Sequence, residues 1–135
     1  MLFISATSAQ GALITIENFT AEITLQPDST LLVTETLLVH FSEQGRGIWR
    51  TIPVDLPAPW GTRRIHVNIQ NVTDLQGNPY ETRITREGPN LRLRVGSEDL
   101  WIPSGERRTY VIRYTVRGAF NWFKEGTASW EPYCE

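Results

Sequence analysis

Strict alternation of apolar and polar residues recurs along the chain, which predicts strands rather than helices. Phe19, Ala21, Ile23 and Leu25 alternate with Thr20, Glu22, Thr24 and Gln26. Gln26-Pro27-Asp28-Ser29 reads as a turn, because proline and aspartate pre-set turn geometry. The β-rich run from Leu31 to Phe41 follows, so these two segments should form a hairpin. Gln44-Gly45-Arg46-Gly47 breaks the pattern, and Ile48 to Ile52 resumes it as a short strand. Pro53, Pro57 and Pro59 make the next segment an edge or a loop. Ile65, Val67 and Ile69 alternate again, and Asp74 to Pro79 is a loop. Tyr80-Thr82-Ile84 and Leu91-Leu93-Val95 flank the turn Glu87-Gly88-Pro89-Asn90, a second hairpin. Gly96 to Gly105 is irregular, after which Tyr110, Ile112, Tyr114 and Val116 line one face of another strand. No segment has sustained helical periodicity. The pattern specifies an all-β chain folded as an antiparallel β-sandwich of immunoglobulin-like or fibronectin-like architecture, with seven to eight strands.

One residue breaks the chemistry of its row. On the run from Leu31 to Phe41, Glu35 stands among Leu31, Val33, Leu37, Val39 and Phe41. The opposite row, Leu32, Thr34, Thr36, Leu38 and His40, is mixed, which leaves open which face is inward. A carboxylate buried without a partner costs several kcal/mol, so Glu35 must be protonated, paired or facing a cavity. Arg50, one strand later, is the expected partner, because its guanidinium can fork onto both carboxylate oxygens. The pair is expected to be structural. Ligand binding in a polar pocket and acid–base catalysis are the alternatives, the latter needing a second carboxyl at a set distance. Glu43 and Asp55 lie in neighbouring loops, but nothing in their spacing singles them out.

Length and charge narrow the classes further. The 135 residues suit one domain with a real core, and a net charge of −2 supplies no global field for nucleic acid. The clusters Arg63-Arg64 and Arg107-Arg108 read as solvated strand ends or turns. His40 and His66 have no third histidine or cysteine to complete a metal site, and no glycine-rich phosphate loop or nucleophile motif is present. No catalytic residue, metal or cofactor is therefore expected. The single cysteine, Cys134, excludes an internal disulfide. Asn18-Phe19-Thr20 and Asn71-Val72-Thr73 match a glycosylation acceptor pattern and receive no role.

The N terminus points to export. Leu2-Phe3-Ile4 followed by small residues up to Gly11 resembles the tail of a secretory signal, so residues 1–11 read as a signal-peptide remnant or a disordered N terminus. Residues 12–135 then form the sandwich domain. Five tryptophans exceed what a core of this size needs, and Trp49, Trp60, Trp101 and Trp122 are candidate binding aromatics. Trp60 and Trp101 fall in expected loops, where they either stack on a ligand or plug the ends of the sandwich. Phe120, Trp122 and Phe123 form an apolar cluster that packs either on a partner or in the core.

Four stretches, in order, carry a family resemblance: Leu25-Gln26-Pro27-Asp28-Ser29-Thr30-Leu31-Leu32-Val33-Thr34-Glu35-Thr36, Gly47-Ile48-Trp49-Arg50-Thr51-Ile52-Pro53, Leu91 to Gly96, and Tyr110 to Ala119. With the closing Thr127-Ala128-Ser129-Trp130, they resemble the N-terminal domain of bacterial and archaeal predicted membrane proteins known as domain of unknown function 2207. The resemblance implies an exported domain that follows a signal peptide and is tethered by transmembrane helices beyond it. Two departures stand out. Ser29 replaces the glycine usual after Pro-Asp, and Pro132-Tyr133-Cys134-Glu135 stands where the family continues toward the membrane. The expected function is protein interaction or ligand sensing at the cell envelope, with an envelope protein or a glycan as partner and no nucleic acid. A carbohydrate-binding module using the loop tryptophans and an envelope hydrolase centred on Glu35 are the alternatives.

Overall fold

The computed structural model describes residues 2–6, 9–10, 14–122 and 128–130, with side chains placed for 14–57 and 59–119. The strands are β1 (Leu2–Ala6), β2 (Ala9–Gln10), β3 (Ile14–Leu25), β4 (Leu31–Phe41), β5 (Gly47–Pro53), β6 (Asp55–Ala58), β7 (Gly61–Arg64), β8 (His66–Thr73), β9 (Thr82–Glu87), β10 (Asn90–Gly96), β11 (Arg107–Arg117), β12 (Phe120–Trp122) and β13 (Ala128–Trp130). They form an all-β sandwich of antiparallel sheets packed face to face, without a closed barrel. The larger sheet runs β1-β3-β4-β11-β8, with β2 also on β3, and the smaller runs β5-β10-β9. These two sheets hold nine strands, against the seven to eight expected, because the segment before β3 adds two short ones. Leu2–Ala6 lies antiparallel to Phe19–Ile23. β6–β7 and β12–β13 are separate two-stranded hairpins.

The odd-numbered row of β4 faces inward. Leu31, Val33, Glu35, Leu37, Val39 and Phe41 are all buried, which settles the face that the sequence left open. From β11 the inward row is Tyr110, Ile112, Tyr114 and Val116, and the smaller sheet contributes Ile48, Ile52, Leu93 and Val95 to the same core. β3 reaches this core with two different parities. A register shift between Ile16 and Asn18 adds one residue, so Ile14 and Ile16 before it and Phe19 and Ile23 after it pack against the same core.

The two ends of the sandwich differ. At one end lie the β3–β4 turn, the β6–β7 hairpin, the β9–β10 turn and the end of β11. Val54 and Asp55 both donate their N–H to Pro89 O, and Arg63 donates to Gly118 O. At the other end, Gly45 and Ile102 exchange backbone hydrogen bonds of 3.0 and 2.6 Å, joining the β4–β5 and β10–β11 connections. Beside this bridge Gly47 and Gly96 pair across β5 and β10. A β-carbon on Gly96 would sit 2.0 Å from Arg46 O, and one on Gly47 1.8 Å from Val95 O, so the close approach of the strands requires glycine at both.

The segment with Pro53, Pro57 and Pro59 is a hairpin rather than a plain edge or loop. Pro57 pairs with Thr62 on a two-stranded ribbon, which tolerates a residue lacking an N–H because no further strand flanks it.

Candidate functional site

Glu35 projects from the middle of β4 into the space between the sheets and is 3% exposed. It meets Arg50 of β5, the inward residue between Ile48 and Ile52. Arg50 Nε donates to Oε1 at 2.8 Å and Nη2 to Oε2 at 2.7 Å, a bidentate fork. Nη1 donates to the Thr51 carbonyl at 3.0 Å, and the guanidinium lies 5.9 Å from the Phe19 ring centre. Its side chain is 13% exposed, so the charge is largely but not wholly withdrawn from water.

Sequence reasoning missed a third member. Tyr114 of β11 donates its hydroxyl to Glu35 Oε2 at 2.8 Å. Ile112 is the residue directly opposite Glu35, and Tyr114 sits one inward position along. The signal was partial: a buried tyrosine hydroxyl calls for a partner, but the inward row of β11 holds both Tyr110 and Tyr114, and only the register of β11 on β4 decides which of them meets Glu35. The fully engaged carboxylate joins both sheets through β4, β5 and β11. Neither Glu43 nor Asp55 joins it. Glu43 lies beyond the end of β4, and Asp55 is bound at the opposite end to Arg64 at 2.8 Å and to Arg86. The hydrogen bond from Arg64 is the main cause of a lowered Asp55 carboxyl pKa.

A cleft of about 530 Å³ opens at the end closed by the Gly45–Ile102 bridge. Phe41, Ile48 and Val95 form its apolar floor, Trp49 and Trp101 stand in its wall, and Glu43, Arg46, Arg94 and Glu98 supply charge. Both tryptophans are 53% exposed. Arg46 stacks 4.3 Å from the centre of the Trp101 ring and Arg92 4.2 Å from that of Trp49, which fixes each ring by a cation–π contact. Arg94 is held on its side by Glu98 at 3.0 Å. A concave surface with an apolar floor, aromatic walls and a few charged groups is the usual form of a ligand site.

The candidate aromatics therefore divide. Trp49 and Trp101 come together in one cleft, whereas Trp60 is at the tip of the β6–β7 hairpin, at the opposite end of the sandwich. The side chains of Trp122 and the Phe120-to-Phe123 cluster, and Cys134, lie outside the described residues. His40 is half-buried on the outer face of β4 and His66 is exposed at the start of β8. Among the described residues, no group of three or more His, Cys, Asp or Glu side chains is placed to hold a metal ion.

Residues 15–130 match the family model described as the predicted membrane protein (DUF2207) N-terminal domain. The chain belongs to this family. The DUF2207 match covers all four stretches that carried the resemblance, together with the Glu35–Arg50–Tyr114 cluster and all of the cleft lining but Ile14. The family is one of predicted membrane proteins whose function is unknown. No curated protein and no solved structure matches the chain. Among the described residues, no helix is long and apolar enough to cross a membrane.

Proposed function

We propose that this DUF2207 domain is an extracytoplasmic, membrane-tethered binding module that recognises an envelope ligand, a protein segment or a glycan, in the cleft between Trp49 and Trp101, and that it is not an enzyme. The observation that carries this reading is the pairing of two half-exposed indoles over an apolar floor in one cleft. Indoles give large contact area at small entropic cost, and such rings dominate recognition surfaces. A structural role for Glu35 and Arg50 fits the same reading. Glu35, the one buried carboxylate among the described residues, accepts three hydrogen bonds and is not part of the cleft lining.

A glycan is the ligand class that two indoles in one open cleft favour over a compact metabolite. The pair that would stack on it is Trp49 with Trp101, since Trp60 lies at the far end. A panel of envelope polysaccharides, peptidoglycan fragments and envelope-protein peptides, titrated against the chain and its Trp49→Ala and Trp101→Ala variants, tests the proposal. Binding weakened at least about tenfold in each variant is expected, as for truncation of a central aromatic anchor. Wild-type affinity in both variants would remove the cleft from consideration. Turnover of any panel member that is abolished by Glu35→Gln would overturn the non-catalytic reading.

A further inference from the structure

The β6–β7 hairpin belongs to neither main sheet and presents an unusual tip. Its strands pair Asp55 with Arg64, Leu56 with Arg63, Pro57 with Thr62 and Ala58 with Gly61, leaving Pro59-Trp60 as the turn. From Leu56 to Thr62 there is no charged residue. Leu56 packs against the core and anchors the base, while Pro57, Pro59 and Trp60 are exposed, the Trp60 side chain at 69%. An indole this exposed, preceded by two prolines, buries little of its surface in the domain itself.

Position and charge indicate what it meets. Arg63 donates through Nε and Nη2 to Gly118 O at 3.1 and 2.6 Å, so the hairpin base is bolted to the C-terminal end of β11. The family is described as the N-terminal domain of predicted membrane proteins, so a bilayer is a surface this domain has beside it. The hairpin's end of the sandwich carries exposed Arg64 and Arg117 and the acids Asp28, which feels Arg117, and Glu87, which pairs with Arg92, so arginine is in surplus there. The acid of the hairpin, Asp55, is already neutralised by Arg64 and Arg86. The tip extends about three residues past the arginines, roughly 10 Å at strand rise, which matches the depth at which interfacial side chains sit below lipid phosphates. An uncharged proline–tryptophan tip backed by a surplus of arginine is the chemistry of a bilayer interface rather than of a glycan or a folded partner.

We propose that the β6–β7 hairpin is a membrane-docking finger. Trp60, with Pro57 and Pro59, enters the boundary between lipid headgroups and acyl chains, and Arg64 and Arg117 face the phosphates. The finger holds the sandwich upright on its own membrane, with the Trp49–Trp101 cleft directed away from the bilayer. The proposal rests on membrane association and not on the cleft having a ligand.

The test uses the 135-residue chain with vesicles of phosphatidylcholine alone, or mixed with phosphatidylglycerol, up to millimolar lipid. Partition is read by co-sedimentation, and insertion by quenching of tryptophan emission with acyl-brominated lipid. Partition with quenching is expected on both vesicles, stronger with the anionic lipid. Trp60→Ser should abolish the quenching and weaken partition about tenfold, consistent with losing the main apolar contact. Trp101→Ser, at the other end, should leave both unchanged. Trp60 is at an exposed turn, and an unchanged circular dichroism spectrum verifies that its variant folds. No partition at millimolar lipid, quenching that survives Trp60→Ser, or equal loss in Trp101→Ser would each overturn the proposal.

Discussion

Replacing Glu35 by glutamine keeps the shape of the side chain and removes its charge, which isolates what the ion pair does. The carboxylate accepts two bonds from Arg50 and one from Tyr114 while being 3% exposed. Glutamine offers one acceptor oxygen and turns its amide donors toward the guanidinium, so the Arg50 cation loses the charge of Glu35 between the sheets. Breaking a buried pair in this way costs about 3–5 kcal/mol. The 13% exposure of Arg50 lets water reach the guanidinium, which sets the expectation at the lower end, about 3 kcal/mol. Arg50→Met leaves the more deeply buried carboxylate supported by Tyr114 alone and should cost about 4 kcal/mol.

Removing both charges behaves differently. Glu35→Leu with Arg50→Met replaces the pair by apolar volume and takes from the Tyr114 hydroxyl its bond to Glu35, which costs about 1–3 kcal/mol. Adding Tyr114→Phe should bring stability back to within about 1 kcal/mol of the wild type. Glu35→Leu alone is the matching single variant and, like Glu35→Gln, takes the counter-charge from Arg50; its loss and that of Arg50→Met should sum to far more than the double, a coupling energy of several kcal/mol. Urea unfolding at neutral pH measures each variant, provided the slope with denaturant is unchanged between them. Single substitutions costing under about 1 kcal/mol, or a double variant as unstable as the sum of the singles, would refute the buried-pair account.

Three further outcomes follow from local geometry. Ser29 has φ 69°, in the left-handed region, within a turn closed by Ser29 N–H to Gln26 O and Gln26 N–H to Thr30 O. Ser29→Gly should stabilise the fold by about 0.5–1 kcal/mol, the conformational gain less glycine's unfolded-state entropy, read as a raised thermal midpoint. Gly96→Ala would place a methyl group 2.0 Å from Arg46 O at φ +132°, a loss of about 3 kcal/mol or more in urea unfolding. Acid should weaken the fold. Side-chain hydrogen bonds from Arg107 and Arg64 lower the Glu17 and Asp55 pKa values, and a backbone hydrogen bond from Thr30 and a side-chain one from Asn78 lower those of Asp28 and Asp74. Groups with depressed folded pKa values contribute stability above their unfolded values and lose it as pH falls through the folded ones, so the decline begins below about pH 4. Asp55→Asn should flatten that decline in a pH series of urea midpoints.

Much of the fold is legible because alternation is a local signal. The alternating rows of β4 and β11 stand in the sequence as written, although which row of β4 faces inward does not, and the turns at Pro27-Asp28 and Gly88-Pro89 mark two hairpins that the structure contains. What is not legible is non-local. The insertion of β11 between β4 and β8 joins residues far apart in the chain, and no local pattern encodes that pairing. The β6–β7 hairpin escapes because prolines score against strands, although a two-stranded ribbon leaves edges where they fit. The Glu35–Arg50 contact is inferable from one acid in an apolar row. Tyr114 is not, because its partner depends on the register of β11 against β4. The cleft is hidden for a related reason: Trp49 and Trp101 line one cleft only where the Gly45–Ile102 bridge folds two connections together.

The central claim is that recognition resides in the Trp49–Trp101 cleft, and the five indole N–H resonances of the chain report on it directly. An NMR titration with envelope glycan fragments and envelope-protein peptides, in solution without lipid, should move the Trp49 and Trp101 indole signals together and saturably, with the Trp60 signal stationary. A ligand that shifts Trp60 alone, or one that is consumed during the titration, would contradict the account.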